Sequence, residues 1–259
     1  MLIVKNISKN FGSFQALDRV SFEMNKGDIV GLLGKNGAGK TTLMRTLTSF
    51  ITPSSGTVNI DGEDISKHSL SIRQKIGYLP EKPPLYGDMT VQYYLNFAAE
   101  IKGVPKNKRL FQLAKVLEEC DLEQVKQKTI ATLSKGYKQR VGIARALVSD
   151  PEVLLMDEPF AALDAQTRDI MQSELLRIWQ EAKKTVLFVT HQIEEAVYLS
   201  DRVIVMTKRP GRSKKIIDIP LARPRDYEMR VTPEFNNLKL SIWNELKDEI
   251  DSLGGAVLD

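Results

Sequence analysis

The sequence predicts an α/β fold in which a glycine-rich turn joins a buried strand to a helix. The apolar run Ile29–Leu33 leads directly into that turn, and a helix-forming segment follows it. A second apolar run, residues 153–156, ends in two carboxylates. Residues 85–133 carry apolar side chains at helical spacing and show no strand pattern. We therefore expect an α/β core, an antiparallel β subdomain at the N-terminus and an inserted α-helical subdomain, at about residues 85–150.

The N-terminal residues predict two strands that form a hairpin. Apolar residues are grouped at positions 2–7 and again at 16–22, and Asn10, Gly12 and Ser13 between them are turn formers. Phe11 lies just before that turn. It could stack on a purine ring or belong to the core, and this segment taken alone favours the core.

The glycine-rich turn matches the phosphate-loop pattern G-x-x-x-x-G-K-[ST] between a strand and a helix. Glycines allow consecutive N–H groups to turn inward around a polyphosphate, and the helix that follows directs its positive end at the same anion. Lys40 would reach the β- and γ-phosphates, and Thr41 would offer its hydroxyl to Mg²⁺. The candidate nucleotide-binding residues are Gly34, Lys35, Asn36, Gly37, Ala38, Gly39, Lys40, Thr41 and Thr42.

Beyond the turn, the pattern predicts a helix over 41–50, a strand over 57–60 that ends in an Asp-Gly turn, and a short strand over 76–79. The prolines that follow, in residues 80–84, predict an extended connection. We expect His68 to be exposed. In the helical insert, Gly103 to Pro105 should separate two helices. Ser134 is placed to cap a third, which runs to Val148.

Carboxylates follow the predicted strand over 153–156. One, Asp157, could hold Mg²⁺ or its waters, and the next, Glu158, could polarise an attacking water. A helix follows Asp164. The buried run 185–190 then ends at His191, and a histidine in that position is usually structural. The neighbouring motifs favour a catalytic role here, because three strand ends would face one crevice.

Composition limits the remaining possibilities. The 259 residues are 42% hydrophobic, which is enough for an ample core, and the net charge of +4 does not by itself indicate nucleic acid. The longest aliphatic runs are too short to cross a bilayer, and we expect no leader peptide. The single cysteine, Cys120, should pack as a small apolar residue. We expect a soluble, cytosolic protein.

Together, these motifs resemble the ATP-binding subunit of an ABC transporter. The likeness covers about residues 1–230, with a helical tail at 231–259. It implies that Phe11 stacks on adenine, that residues 34–41 are the Walker A loop, that Asp157 and Glu158 end Walker B, and that Lys40 takes part in catalysis. It also implies that residues 133–140, LSKGYKQR, are the signature motif. Asp164 would be the D-loop aspartate and His191 the switch histidine.

The resemblance implies ATP and Mg²⁺ as ligands, with Thr41, Glu81 and Asp157 around the metal. It further implies a dimer in which Ser134 and Gly136 face the nucleotide of a second copy or a homologous subunit. Two departures stand out. Glu81 replaces the usual Q-loop glutamine but remains an oxygen donor for Mg²⁺. Lys135 replaces a small residue in the signature.

Two parts of the chain resemble two different branches of the family. Residues 1–140 resemble the efflux branch related to gliding-motility and multidrug export ATPases, whereas 144–246 resemble the nitrate, sulfonate and taurine uptake branch. The insert and the Glu81 loop are where the family docks its membrane permease. A permease partner would hold the chain against the inner face of the cell membrane, and uptake would add a periplasmic solute-binding protein.

The tail of the chain is less informative. Residues 207–230 hold eight basic and three acidic side chains, which could lie near anionic lipid but more simply are solvated. The cap signal Thr232-Pro233-Glu234 predicts a last helix that packs on the core.

Rival functions are a non-transport ABC ATPase acting on nucleic acid or ribosomes, and a regulatory subunit that binds ATP without hydrolysing it. We expect no direct contact with nucleic acid.

Overall fold

The computed structural model describes residues 1–67 and 69–251. Within them, the strands are β1 (Leu2–Phe11), β2 (Phe14–Met24), β3 (Ile29–Leu33), β4 (Ser55–Ile60), β5 (Glu63–Asp64), β6 (Ile76–Leu79), β7 (Val153–Asp157), β8 (Thr185–Thr190), β9 (Arg202–Met206) and β10 (Ser213–Asp218). The α-helices are α1 (Lys40–Leu47), α2 (Ser69–Lys75), α3 (Val91–Ile101), α4 (Lys106–Glu119), α5 (Lys135–Leu147), α6 (Ala165–Ala182), α7 (Ile193–Leu199) and α8 (Pro233–Asp251). The expectation for His68 lies outside the described residues.

The chain forms two compact units. The first contains Met1–Ser69 and Leu187–Asp259, and the second contains Leu70–Val186. The first therefore carries the glycine-rich loop, and the second carries the helical insert and the carboxylates after β7. The α/β class predicted from the sequence is confirmed.

In the first unit, an antiparallel sheet has the strand order β2-β1-β4-β5. Along β2, Val20, Phe22 and Met24 are buried and alternate with exposed residues, so one face of the sheet packs on the core. The predicted N-terminal hairpin is confirmed. Asp61 and Gly62, both with positive φ, make the turn from β4 to β5 that the Asp-Gly pair predicted.

The first unit also contains β10, β9, β3 and most of β8, in that order as neighbours in a sheet. Strand β3 is parallel to β9, with Leu32 opposite Ile204, and all five residues of β3 are buried. A strand enclosed on both faces reads as a continuous apolar run, which is the pattern seen in the sequence. The glycine-rich loop thus starts from a fixed strand.

Helix α1 is shorter than predicted. It runs from Lys40 to Leu47 rather than on to Phe50. Thr48 turns its hydroxyl back to the carbonyl oxygen of Met44 at 3.0 Å, and Ser49 adopts a left-handed φ of 55°. These local interactions end the helix three residues early.

The C-terminal helix packs as predicted. Phe235, Ile242 and Leu246 on α8 are buried, and α8 lies against α7. The guanidinium of Arg230, just before α8, lies 4.1 Å from the ring centroid of Tyr198 on α7. These contacts attach the tail to the helix that follows His191.

The basic segment 207–230 is not simply solvated, so this expectation was wrong. Arg225 is buried and donates hydrogen bonds to backbone carbonyls. Arg212 forms an ion pair with Asp18 at 2.6 Å, and Arg223 forms one with Asp201 at 2.7 Å. Much of the positive charge therefore holds the chain together.

In the second unit, β6 is parallel to β7, and the helical insert has the predicted form. Helices α3 and α4 are separated at Gly103–Pro105, and α5 starts after Ser134. The hydroxyl of Thr90 accepts the N–H of Tyr93 at the start of α3. Side-chain caps of this kind fix where the helices begin. Cys120 is buried as expected, and burial raises the pKa of its thiol.

No helix among residues 1–67 and 69–251 combines the length and the hydrophobicity that crossing a bilayer requires.

The contact between α5 and β6 leads to a stability prediction. A Cβ on Gly77 in β6 would lie 2.2 Å from the carbonyl oxygen of Ala146 in α5, which is a backbone atom that cannot rotate away. We expect Gly77→Ala to lower the free energy of unfolding by about 1–3 kcal/mol, measured by urea denaturation. The matched control is Gly87→Ala, where the new Cβ would meet the Cβ of Ala131 at 3.4 Å. A larger loss in the control than in Gly77→Ala would contradict this packing argument.

Candidate functional site

The glycine-rich loop runs from Gly34 at the end of β3 to Lys40 at the start of α1. Gly37 and Gly39 have φ values of 84° and 88°, a region that suits glycine. Gly39 has a second constraint, because a Cβ there would lie 2.8 Å from the carbonyl oxygen of Ala16 in β2. The loop is therefore held closely against β2.

Lys40 is buried within this loop. Its Nζ donates hydrogen bonds to the carbonyl oxygens of Gly34 at 2.6 Å and Lys35 at 3.0 Å. The first-turn N–H groups of α1, including those of Thr41 and Thr42, have no acceptor within the helix. The loop thus combines a cation with backbone donors and the positive end of a helix, which together suit a polyphosphate.

Two aromatic rings lie at the tip of the β1–β2 hairpin. Phe11 is directly opposite Phe14 in the strand register, and their residues are 49% and 39% exposed. The alternative that placed Phe11 in the core is therefore wrong. Two residues after Phe14, β2 reaches Ala16, which touches the glycine-rich loop. An exposed ring beside a phosphate-binding loop suits the stacking of a base.

His191 is exposed and directly follows β8, the strand next to β3. The hydroxyl of Thr190 accepts the N–H of Gln192 at 3.0 Å and so shapes the turn into α7. The first unit therefore carries the loop, Phe11 and His191.

In the second unit, β7 ends at Asp157, and Glu158 follows it. Asp157 is buried, whereas Glu158 is partly exposed and has a φ of 48°. A left-handed φ is uncommon for glutamate and costs energy, and such residues are concentrated at functional sites. The next residue, Pro159, accepts a hydrogen bond from the buried amide of Gln139 in α5. This bond ties the turn after Glu158 to the signature helix.

Glu81 follows β6, the strand that pairs with β7. Because Leu79 in β6 is opposite Met156 in β7, the residues that follow both strands emerge at the same edge. A Cβ on Gly142 in α5 would meet Pro83 at 2.9 Å, so this connection also packs tightly on α5. Glu81 itself is exposed.

Oxygen donors of this kind suit Mg²⁺, which keeps several waters and takes only one or two carboxylates. Among residues 1–67 and 69–251, no group of three or more His, Cys, Asp or Glu side chains is placed to hold a metal. Thr41, the third predicted ligand, belongs to the first unit.

The signature residues and Asp164 lie together in the second unit. The hydroxyl of Ser134 caps α5 by accepting the N–H of Tyr137 at 3.3 Å. A Cβ on Gly136 would be 3.1 Å from the Cγ2 of Thr167, whose N–H is bound by Asp164 at 3.0 Å. Hydrogen bonds from Thr167 lower the pKa of Asp164. Asp164 thus caps α6 beside the signature, and Lys135 is exposed.

Three side chains that belong to this site were not predicted from the sequence. Gln139 connects the signature helix to the carboxylates, Arg225 holds the chain around α7, and Arg209 lies beside the glycine-rich loop. For these three residues, the sequence gives one recognisable signal: the Pro-Gly pair after Arg209, which predicts a turn at that position.

A phosphate loop on an α/β sheet, with carboxylates at a strand end, defines a nucleoside-triphosphate-binding protein. The family model described as "ABC transporter" matches residues 17–161. An uncharacterised ABC transporter ATP-binding protein of Methanocaldococcus jannaschii is 44% identical, over 96% of this chain and 92% of its own. A taurine import ATP-binding protein of Jannaschia sp. is 39% identical, over 98% and 97%.

A solved dimeric ATP-binding cassette, in a post-hydrolysis state with ADP and Pi, superimposes with a TM-score of 0.72 at 27% identity, covering 86% of this chain and all of that one. The chain belongs to the ABC transporter family, as an ATP-binding and ATP-hydrolysing subunit. Each of these two sequence relatives matches nearly the whole length of the chain.

Proposed function

We propose that this chain hydrolyses ATP at the interface of a dimer and so drives a separate membrane permease that imports a small organic sulfonate. The observation that carries the hydrolytic part is the pair Asp157 and Glu158 at the end of the buried strand β7. A buried carboxylate followed by a partly exposed one suits a site that must hold a cation and also activate water.

Binding of ATP would use the first unit. The ring of Phe11 would stack on adenine, and the loop residues from Gly34 to Thr42 would bind the phosphates. Lys40 would exchange its bonds to the loop carbonyls for bonds to the β- and γ-phosphates, which are stronger because both partners are charged. The short bonds that Lys40 makes to its own loop support this role, since they hold the amine in place before ATP arrives.

Hydrolysis would use the strand ends. Glu158 would orient and polarise the attacking water, and His191 would contact the γ-phosphate. Thr41, Glu81 and Asp157 would hold Mg²⁺, and a cation bound there supplies charge that offsets the phosphate oxygens. The pairing of β6 with β7 supports this assignment, because Glu81, Asp157 and Glu158 come at the same ends of two neighbouring parallel strands.

A second copy of the chain, or a homologous subunit, would complete the site. Ser134 and Gly136 would face the γ-phosphate bound by the partner's Lys40, and Asp164 would lie at the same interface. Two facts support this part: the residues lie together and largely exposed in the second unit, and the superimposed cassette is a dimer.

The permease would bind the helical insert and the connection at Glu81. The direction of transport rests on the taurine import relative, which matches 98% of the chain. An importer would also need a periplasmic solute-binding protein, and the permease would hold this subunit at the inner face of the membrane. The tight packing of Pro83 on Gly142 supports a mechanical link from the permease to the signature helix.

The test reconstitutes the chain in proteoliposomes with the permease that co-purifies with it, and supplies a taurine-binding protein on the opposite side of the membrane. With ATP supplied on the side of this subunit, radiolabelled taurine should move towards that side, and the Glu158→Gln variant should abolish the movement. Movement of taurine away from that side would mean that the transporter exports its substrate, and would contradict the proposal of import.

The nucleic-acid rival has its own outcome. Salt-sensitive binding of duplex DNA or RNA by the purified chain, together with no recovery of a permease on co-purification, would favour a non-transport ATPase.

A further inference from the structure

The turn between β9 and β10 is closely braced by its own hydrogen bonds. In this arginine turn, Thr207–Arg212, the N–H of Thr207 donates to the carbonyl oxygen of Arg212 at 3.0 Å. The hydroxyl of Thr207 accepts the N–H of Arg212 and donates to the carbonyl oxygen of Pro210 at 2.9 Å. The turn is therefore held in shape by hydrogen bonds among its own residues.

The same turn is docked against both β2 and the glycine-rich loop. The N–H of Gly211 donates to Ala16, and the N–H of Asp18 donates to Gly211, at 3.0 and 2.9 Å. A Cβ on Gly211 would lie 2.1 Å from the carbonyl oxygen of Ala38, so only glycine allows this approach. The turn has a fixed position beside the phosphate-binding loop.

Arg209 projects from this turn between the aromatic hairpin tip and the loop. The guanidinium carbon lies 4.4 Å from the ring centroid of Phe14, and Nη2 lies 3.4 Å from the position of a Cβ on Gly37. The side chain is exposed, and among the described residues no carboxylate forms an ion pair with Arg209. The stacked ring holds an uncompensated cation next to the loop.

We propose that Arg209 binds the α-phosphate of the nucleotide and thereby contributes to affinity. This inference rests on the proposed ATP site. A nucleotide with its base at the hairpin tip and its terminal phosphates on the loop must place its ribose and α-phosphate between the two, which is where Arg209 lies. A guanidinium oriented by an aromatic ring is well suited to donate two hydrogen bonds to one phosphate.

The test measures ATP and ADP affinity by isothermal titration for the wild-type chain and for Arg209→Ala. Because both nucleotides carry the α-phosphate, the variant should bind both about tenfold more weakly. Arg209→Lys keeps the charge but loses the planar fork, and should recover part of the loss. The control Lys208→Ala removes an equal charge from the adjacent exposed position and should bind normally.

Each alternative outcome has one meaning. If wild type binds ATP, Lys40→Ala does not, and Arg209→Ala binds as wild type, the α-phosphate role is wrong and the ATP site stands. If Arg209→Ala weakens ATP but leaves ADP unchanged, Arg209 acts on the γ-phosphate instead and the proposal fails. An equal loss of affinity in Lys208→Ala would mean that any positive charge at this turn has the same effect, and would also overturn the proposal. If wild type itself binds no ATP, the proposed function fails.

Discussion

Glu158→Gln is expected to lower the steady-state rate of ATP hydrolysis by about 10²–10⁴-fold, the usual contribution of a general base. Glutamine has the shape of glutamate and meets the same left-handed backbone, which has a φ of 48° at this position. It cannot accept a proton from water. The loss should therefore appear in kcat, while the affinity for ATP stays within about twofold of wild type.

Phosphate release by the purified chain measures this effect, with Glu118→Gln as the matched control. Glu118 is an exposed glutamate on α4, in the same unit as Glu158. Wild-type turnover in Glu158→Gln would remove Glu158 from the mechanism. An equal loss of turnover in both variants would mean that the loss is not specific to Glu158, and would contradict its role as the general base.

Arg225→Met is expected to destabilise the fold by about 3–5 kcal/mol, because buried carbonyls lose a charged donor. The Arg225 guanidinium donates to the carbonyl oxygens of Val197, Tyr198, Ser200, Ile219 and Leu221. Burial lowers the pKa of Arg225 to about 10, so it remains charged at neutral pH. Methionine has a similar length but no donor.

Differential scanning calorimetry should show a Tm lower by about 6–20 °C for a chain of this size. The control is Arg19→Met, since the Arg19 side chain is 72% exposed and Asp18, its ion-pair partner, keeps a second ion pair with Arg212. That variant should change stability by less than about 1 kcal/mol. Equal Tm values for Arg225→Met and wild type would show that water replaces the guanidinium without cost.

Local sequence patterns were sufficient where one segment determines its own structure. The buried strand β3 reads as an apolar run, the Asp61-Gly62 pair forms its turn, and Ser134 and Asp164 cap their helices. The phosphate loop is of this kind as well, because its glycines and Lys40 are adjacent in sequence.

The rest could not be predicted, because it depends on residues far apart in the chain. In the sequence, Arg225 cannot be distinguished from the other basic residues of the tail, and its buried position depends on its contacts with α7. The position of Arg209 depends on the packing of Gly211 against Ala38. The exposure of Phe11 depends on the hairpin tip, and the hairpin pattern alone does not fix it. No propensity indicates that Glu158 adopts a left-handed φ.

Mixing two inactive variants tests the central claim, a nucleotide site shared by two chains, most directly. Lys40→Ala disables the loop and Ser134→Glu puts a negative charge where the partner's γ-phosphate would lie, so each variant alone should hydrolyse ATP at background rates. Random pairing makes half of the dimers heterodimers, and each heterodimer has one intact site of its two. About a quarter of all sites should then be intact, and ATPase activity should rise well above that of either variant. Activity that stays at background in the mixture, with heterodimers demonstrated by two affinity tags, would contradict the account.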